Sequence, residues 1–384
     1  MKIDYSKRIF GLDLMRAVAI LCVVFSHALW IYPNAQGPLK DLLSLMGVLG
    51  VEIFFVLSGF LIGGILYRSM VLKPPTKQSI KQFWLRRWFR TLPNYYLILG
   101  VNMAIVLIIG RGLPDPVWPY FFFLQNFASS MDIFFTESWS LPIEEFAYLL
   151  GPLLIYILLR FRQKKKAKAT FLLASLSIVI FFLVTKIYYH YSQSMVADMY
   201  AWSENLKTVT LYRIDAIFYG FLGVYLANNY ERFWKRYALV FAGLGFFILL
   251  LLNFGIPYIG WFIEYKPMFW NVFYLPINSI AILCFVPWLS TWKSTNRWFR
   301  FGVTRISLIS YSMYLLHYSV ILQLLNYFMP IRELSSFDKV VYVAVYLLLT
   351  LFLSYLLYQI FEKPMMNLRD KPFILKRFGI KSKN

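Results

Sequence analysis

Arg16 and His27 sit eleven residues apart in an apolar run near the start of the chain. At about 100° per residue in a helix, that spacing leaves them only about 20° apart, on one face and about 16 Å apart along the axis. A guanidinium can hold an anion, and an imidazole can take up a proton near neutral pH. An ionisable side chain inside hydrocarbon costs several kcal/mol unless shielded, which makes both residues functional candidates. A quieter reading competes, in which Arg16 reaches back to lipid headgroups and His27 closes a helix contact.

Other chemistry-bearing residues fall along the chain in short clusters. Glu52 precedes Ser58 and Gly59 in Gly50-Val-Glu52-Ile-Phe-Phe-Val-Leu-Ser58-Gly59, and Gly63 follows four residues later. Glycines at that interval allow close helix packing, and a serine can bond its own backbone; the carboxylate is harder to assign to structure alone. Arg86, Arg87 and Arg90 lie in an aromatic-rich basic stretch before Pro93. Guanidinium forks suit phosphate, although an interfacial helix held by lipid headgroups would have the same composition.

Trp139-Ser140-Leu141 leads into Glu144-Glu145. Adjacent carboxylates can share a proton, or they can favour a helix N-terminus. Arg213 and Asp215 open a later apolar run and are expected to find partners inside a bundle. Tyr311, Tyr314 and His317 follow on a late helix, where a lone histidine is commonly a satisfied core residue. Cys22 and Cys284 both lie in apolar runs as small hydrophobes, and no Cys or His spacing predicts a metal site.

These residues need elements to hold them, and the composition says which. Of 384 residues, 60% are apolar and 15% charged, against about 45–50% and about 25% in soluble domains. Disorder, coiled coil and a secreted disulfide scaffold are excluded; an all-α, polytopic membrane bundle is expected. Apolar runs fall near 12–32, 46–67, 92–110, 146–160, 169–189, 210–228, 238–256, 269–290, 306–326 and 340–361. Each is close to the length of about 20 residues needed to cross hydrocarbon. The fourth is short, and the aromatic stretch 120–127 before it reads as re-entrant or interfacial.

The basic residues orient this bundle. With the N-terminus in the cytoplasm, 30 of the 39 Lys and Arg fall in cytoplasmic segments and 8 in outer ones, a strong positive-inside bias. Both termini are then cytoplasmic. The net charge of +21 belongs to loops between apolar runs, which argues against nucleic acid as a partner. Residues 12–32 are too long, and too interrupted by Asp13 and Arg16, for a cleaved signal peptide. The loop 111–145 is expected to fold against the helices. The basic tail 362–384 is expected on the anionic inner leaflet, with residues 1–361 as the transmembrane domain and no soluble domain appended.

Taken in order, these motifs resemble acyltransferase family 3, integral-membrane enzymes that acylate glycans and some other acceptors. The resemblance rests on Gly11-Leu12-Asp13 with Arg16 and His27, on Glu52 through Ser58-Gly59, and on Arg87 and Arg90 with Pro93. It continues through Trp139-Ser140-Leu141 with Glu144-Glu145, Arg213 with Asp215 and Gly220, and Ser310-Tyr311 with Tyr314 and His317. It spans essentially the whole chain. One departure is that Phe146-Ala147-Tyr148 follows Glu145, where the family often continues with Gln-Phe-Tyr. The extracellular esterase-like domain that some members carry is not expected in this chain.

The resemblance implies a ten-helix bundle in the bacterial plasma membrane that uses cytoplasmic acyl-CoA, most often acetyl-CoA. The acceptor it implies is a carbohydrate or lipid-linked glycan on the outer face. His27 is then the candidate base and Arg16 its support, with Glu52 or Glu144 orienting the imidazole. Arg87 and Arg90, with Arg86 and Ser58, are expected around the CoA. Trp139, Glu145, Arg213, Asp215, Tyr311 and His317 are expected toward the acceptor. Two other classes compete: a transporter or flippase for a lipid-linked sugar or small anion, and a membrane sensor or scaffold.

Overall fold

In apolar segments the backbone must satisfy its own hydrogen bonds, and helices do so locally. The computed structural model, which describes residues 8–161, 166–192 and 198–380, is helical throughout, with no strand among the described residues. We number its principal helices α1 (Phe10–His27), α2 (Pro38–Leu66), α3 (Lys77–Ile108), α4 (Ser140–Arg160), α5 (Ala167–Ser192), α6 (Asp215–Asn229), α7 (Ala238–Leu250), α8 (Leu275–Leu283), α9 (Arg297–Leu316) and α10 (Ser336–Leu357). Among the described residues, nine helices are long and apolar enough to cross a membrane. A tenth crossing requires counting as one span a pair bent by 88°, Met199–Lys207 with Thr210–Asn229.

Each expected apolar run has its helix, but boundaries differ: α2 and α9 start eight and nine residues ahead of their runs, and three further shifts bear on the bundle. The third helix begins at Lys77 rather than near residue 92. Its start is fixed by Thr76, whose Oγ1 accepts the Ser79 N–H at 3.1 Å, an N-cap that satisfies a free donor of the first turn. The helix then runs without interruption through Arg86, Arg87, Arg90 and Pro93. The basic stretch expected before the third run is therefore the first part of the third helix. The sixth run is broken at its start, where the turn Thr210–Tyr212 precedes α6.

The third difference is at the end of the bundle. A boundary at residue 361 would cut the helical stretch that continues α10 through Tyr358–Glu362 into Lys363–Leu368. Glu362 is buried there and accepts from Ser312 Oγ at 2.5 Å and Asn94 Nδ2 at 3.0 Å. Further on, Gly379 O accepts from Gln78 Nε2 at 3.0 Å, at the start of α3. The basic residues 2, 7, 162, 164, 165, 381 and 383 lie outside the described residues. The aromatic stretch 120–127 starts within a short 3-10 turn laid on α3: Tyr95 Oη donates to Tyr120 O at 2.6 Å and Tyr96 Oη to Phe121 O at 2.8 Å.

The centre is set by close crossings of α1 with α2 and of α2 with α6. At the second, a Cβ on Gly59 would stand 1.8 Å from Ile217 O, and one on Gly220 would stand 2.3 Å from Phe60 N. Only glycine lets these backbones meet. Gly59→Ala is therefore expected to force the helices apart, at a cost of about 1–3 kcal/mol typical of overpacking. Thermal unfolding of the detergent-solubilised protein checks this, and an unchanged midpoint would mean that the crossing can yield.

Candidate active site

Two cavities lie end to end between these helices. The first is lined by Arg16 of α1, Ser58 and Leu61 of α2, Arg87, Arg90 and Thr91 of α3, Glu144 and Tyr148 of α4, and Ser310 and Tyr311 of α9, among others. The second is lined by His27, Trp30, Ser44, Glu137, Trp139 and Lys207, among others. Val51 and Tyr314 line both. They enclose about 760 and about 1050 Å3 of empty space respectively, open mouths included. Along α1 the first cavity lies toward the chain's N-terminal end and the second beyond it; we call them the near and far cavities.

The near cavity is cationic. Arg16, Arg87 and Arg90 all border it, and none of the three guanidiniums donates a hydrogen bond to a described residue. Arg87 lies over the Tyr148 ring, 5.6 Å from its centroid. Glu144 is the carboxylate on this wall; its Oε1 accepts from Ser58 Oγ at 3.1 Å and its Oε2 from Tyr148 Oη. Glu144 is thus held by two hydroxyls and leaves the guanidiniums free. Clustered unpaired guanidiniums make a site for a polyanion, phosphate above all.

The far cavity carries the imidazole. His27 Nδ1 lies 2.9 Å from Val23 O and 3.2 Å from His317 Nε2. A carbonyl oxygen only accepts, so His27 Nδ1 bears the proton. The same argument applies to His317, whose Nδ1 is 2.8 Å from Tyr314 O; its Nε2 is then a lone pair facing His27 Nδ1–H. Both rings are neutral in this pattern, and His27 Nε2 remains as the unprotonated nitrogen. The orienting partner of His27 is a second histidine, at the start of a π-helical stretch His317–Leu322.

The expected site residues therefore separate into groups. Arg16, Arg87, Arg90, Ser58, Glu144 and Tyr311 gather around the near cavity, and His27 with Trp139 around the far one. Tyr311 was expected toward the acceptor, yet its hydroxyl donates to Thr91 O at 2.9 Å, on the near side. Arg86 is exposed and borders neither cavity. Glu145 stands behind the near wall, accepting from Thr91 Oγ1 at 2.7 Å.

Glu52, Arg213 and Asp215 border neither cavity. Glu52 pairs with Arg213 and accepts from Ser279 Oγ at 3.1 Å, whereas Asp215 pairs with Lys186 at 2.6 Å. All four charges are buried, and each buried charge needs its opposite. They tie α2, α5, α6 and α8 together, so neither Glu52 nor Glu144 orients His27 as expected. Asp13 is likewise buried and pairs with Arg8, accepting also from Ser307 Oγ at 3.1 Å.

Two wall residues were missed by the sequence reading, Glu137 and Lys207. Their signals were weak. Glu137 is an acidic residue two positions before Trp139 in an aromatic segment, and Lys207 is one of the few basic residues assigned to the outer side.

The chain belongs to the acyltransferase family whose model, described as "Acyltransferase domain", matches residues 9–359. It is 30% identical over 178 residues to the peptidoglycan O-acetyltransferase OatA of Listeria monocytogenes, covering 42% of this chain and 26% of that protein. A Staphylococcus aureus protein that carries an O-acetyltransferase name is 28% identical over 383 residues, 92% of this chain and 56% of its own length. The chain thus spans about half or less of the curated relatives it matches. No solved structure matches it.

Proposed function

We propose that this chain transfers an acyl group, acetyl in the first instance, from cytoplasmic acyl-CoA to a hydroxyl of a glycan on the opposite side of the membrane. The near cavity is taken as the donor site, opening to the cytoplasm as the positive-inside bias predicts. Its three guanidiniums, without a hydrogen bond or ion pair among the described residues, suit the phosphates of CoA, which cannot enter hydrocarbon. A thioester at the end of the pantetheine arm supplies the activated acyl carbon. Arg16 and His27 are about 16 Å apart along α1, a span of the same order as that arm.

The chain's own residues then do the following. Arg16, Arg87 and Arg90 hold the donor's charge at the near end, with Ser58, Glu144 and Tyr148 shaping the wall. Val51 and Tyr314 border the passage through which the acyl end reaches the far cavity. His27 Nε2 takes the proton of the acceptor hydroxyl as its oxygen bonds to the acyl carbon. The carbon–sulfur bond breaks, and the imidazolium returns that proton to the departing thiolate. His317 keeps the imidazole in the tautomer that can act. Trp139 offers an aromatic face to the acceptor. Glu52, Arg213 and Asp215 hold the scaffold.

The observation that carries this reading is the adjacency of a cluster of free guanidiniums to a wall holding an imidazole with one free nitrogen. The experiment is steady-state acetyl transfer with acetyl-CoA in detergent. Arg90→Ala is expected to raise the KM for acetyl-CoA by about 10–100-fold, the equivalent of losing one hydrogen bond to a charged group, and to alter the acceptor KM far less. An unchanged acetyl-CoA KM would remove the arginines from the donor site.

A further inference from the structure

The far cavity holds two charged groups that the reaction above does not use, Glu137 and Lys207. Glu137 is 2% exposed. Its Oε1 accepts from the Ser319 N–H at 3.1 Å and from Ser319 Oγ at 2.6 Å, so that oxygen is fully used. Its Oε2 is buried and has no hydrogen-bond partner among the described residues. Lys207 Nζ lies 5.6 Å from the centroid of the Trp139 ring and forms no hydrogen bond or ion pair with a described residue. The two are not paired with each other.

Buried polar groups are almost always satisfied, and one that is not calls for a partner. Among the described residues the buried Glu137 Oε2 has no donor, and the half-buried Lys207 Nζ has no acceptor. The same wall presents an aromatic face and the free nitrogen of His27. A simple alcohol would satisfy one of these groups at most. An anionic acceptor would meet the charge of Glu137. An uncharged sugar ring fits all of them, because its hydroxyl and amide substituents both donate and accept, and its C–H face can lie on Trp139.

We propose that Glu137 and Lys207 form the acceptor subsite that selects which hydroxyl of an uncharged sugar is acylated. Glu137 Oε2 takes a hydrogen bond from an O–H or N–H beside the reacting hydroxyl, and Lys207 Nζ donates to an oxygen elsewhere on the same ring. The assignment rests on His27 being the base of acyl transfer. It makes Glu137 and Lys207 specificity-determining residues, and it predicts that regiochemistry is their particular readout.

The test uses the full-length protein in detergent with acetyl-CoA and two acceptors, an oligosaccharide of β-linked N-acetylhexosamine and ethanol. Product isomers are resolved by mass spectrometry and NMR. The variants are Glu137→Gln, which keeps an oxygen for Ser319 but puts a donor in place of the unpartnered Oε2, and Lys207→Met. The wild type is expected to acetylate predominantly one sugar hydroxyl. Each variant is expected to spread the product over several hydroxyls and to lower oligosaccharide turnover at least tenfold more than ethanol turnover.

Unchanged regiochemistry in both variants would overturn the subsite. So would equal losses on both acceptors, which would mark the residues as structural. Absence of transfer to either acceptor by the wild type would instead remove the acyl-CoA reading, and the subsite with it.

Discussion

Replacing His27 by alanine is expected to lower acetyl transfer from acetyl-CoA by about 10²–10⁴-fold, the usual worth of a positioned general base, while acetyl-CoA binding persists. The expectation follows from the proton count at the histidine pair. His27 Nδ1–H is committed to Val23 O and His317 Nε2, which leaves Nε2 free to accept. His317 acts through His27, so its variants test positioning. His317→Ala is expected to lose less activity than His27→Ala. His317→Gln, which can present an oxygen to His27 Nδ1–H, is expected to recover part of that loss. Initial rates on purified, folded protein decide the matter: undiminished turnover in His27→Ala removes the base, and equal rates for His317→Ala and His317→Gln remove the positioning role.

Filling the join at Val51 and Tyr314, which border both cavities, is expected to be as damaging. Val51 and Tyr314 line both cavities, and Tyr314 is fixed, its hydroxyl 2.6 Å from Glu137 O and 2.7 Å from Ser140 Oγ. The tyrosine has little freedom to move aside. Val51→Trp is therefore expected to abolish transfer while the protein still titrates CoA, because the guanidiniums lie on the near side of the join. Overpacking costs about 1–3 kcal/mol, so the milder Val51→Phe accompanies it and is expected to show a partial loss. Calorimetric CoA binding alongside transfer rates separates blockage from unfolding. Full transfer by a folded Val51→Trp protein would show that the acyl group does not pass there.

Much of this molecule was legible in the sequence because hydrocarbon leaves the backbone few choices. A run of apolar residues long enough to cross must be helical, and ten such runs were placed close to the helices observed. The start of α3 was not legible in that way. Its first turns are basic and aromatic, so hydropathy reads them as loop, whereas the Thr76 cap and the Lys, Gln, Leu and Arg residues among them carry the helix from Lys77. The shared face of Arg16 and His27 was also accessible, since helical spacing alone fixes it.

Pairing across helices was not accessible. Glu52 and Glu144 look alike in sequence, each a carboxylate in an apolar run, yet one is bound to Arg213 and the other is held by Ser58 and Tyr148. His317 and His27 are 290 residues apart, and only their three-dimensional packing makes one orient the other. The sequence by itself determined the membrane class, the number of apolar runs and the shared face of Arg16 and His27, because those follow from transfer to hydrocarbon and helical pitch, both local properties. The tertiary structure alone decided which charges neutralise one another and which stay free to meet a substrate, because electrostatic partnership depends on approach in space, which chain order does not encode.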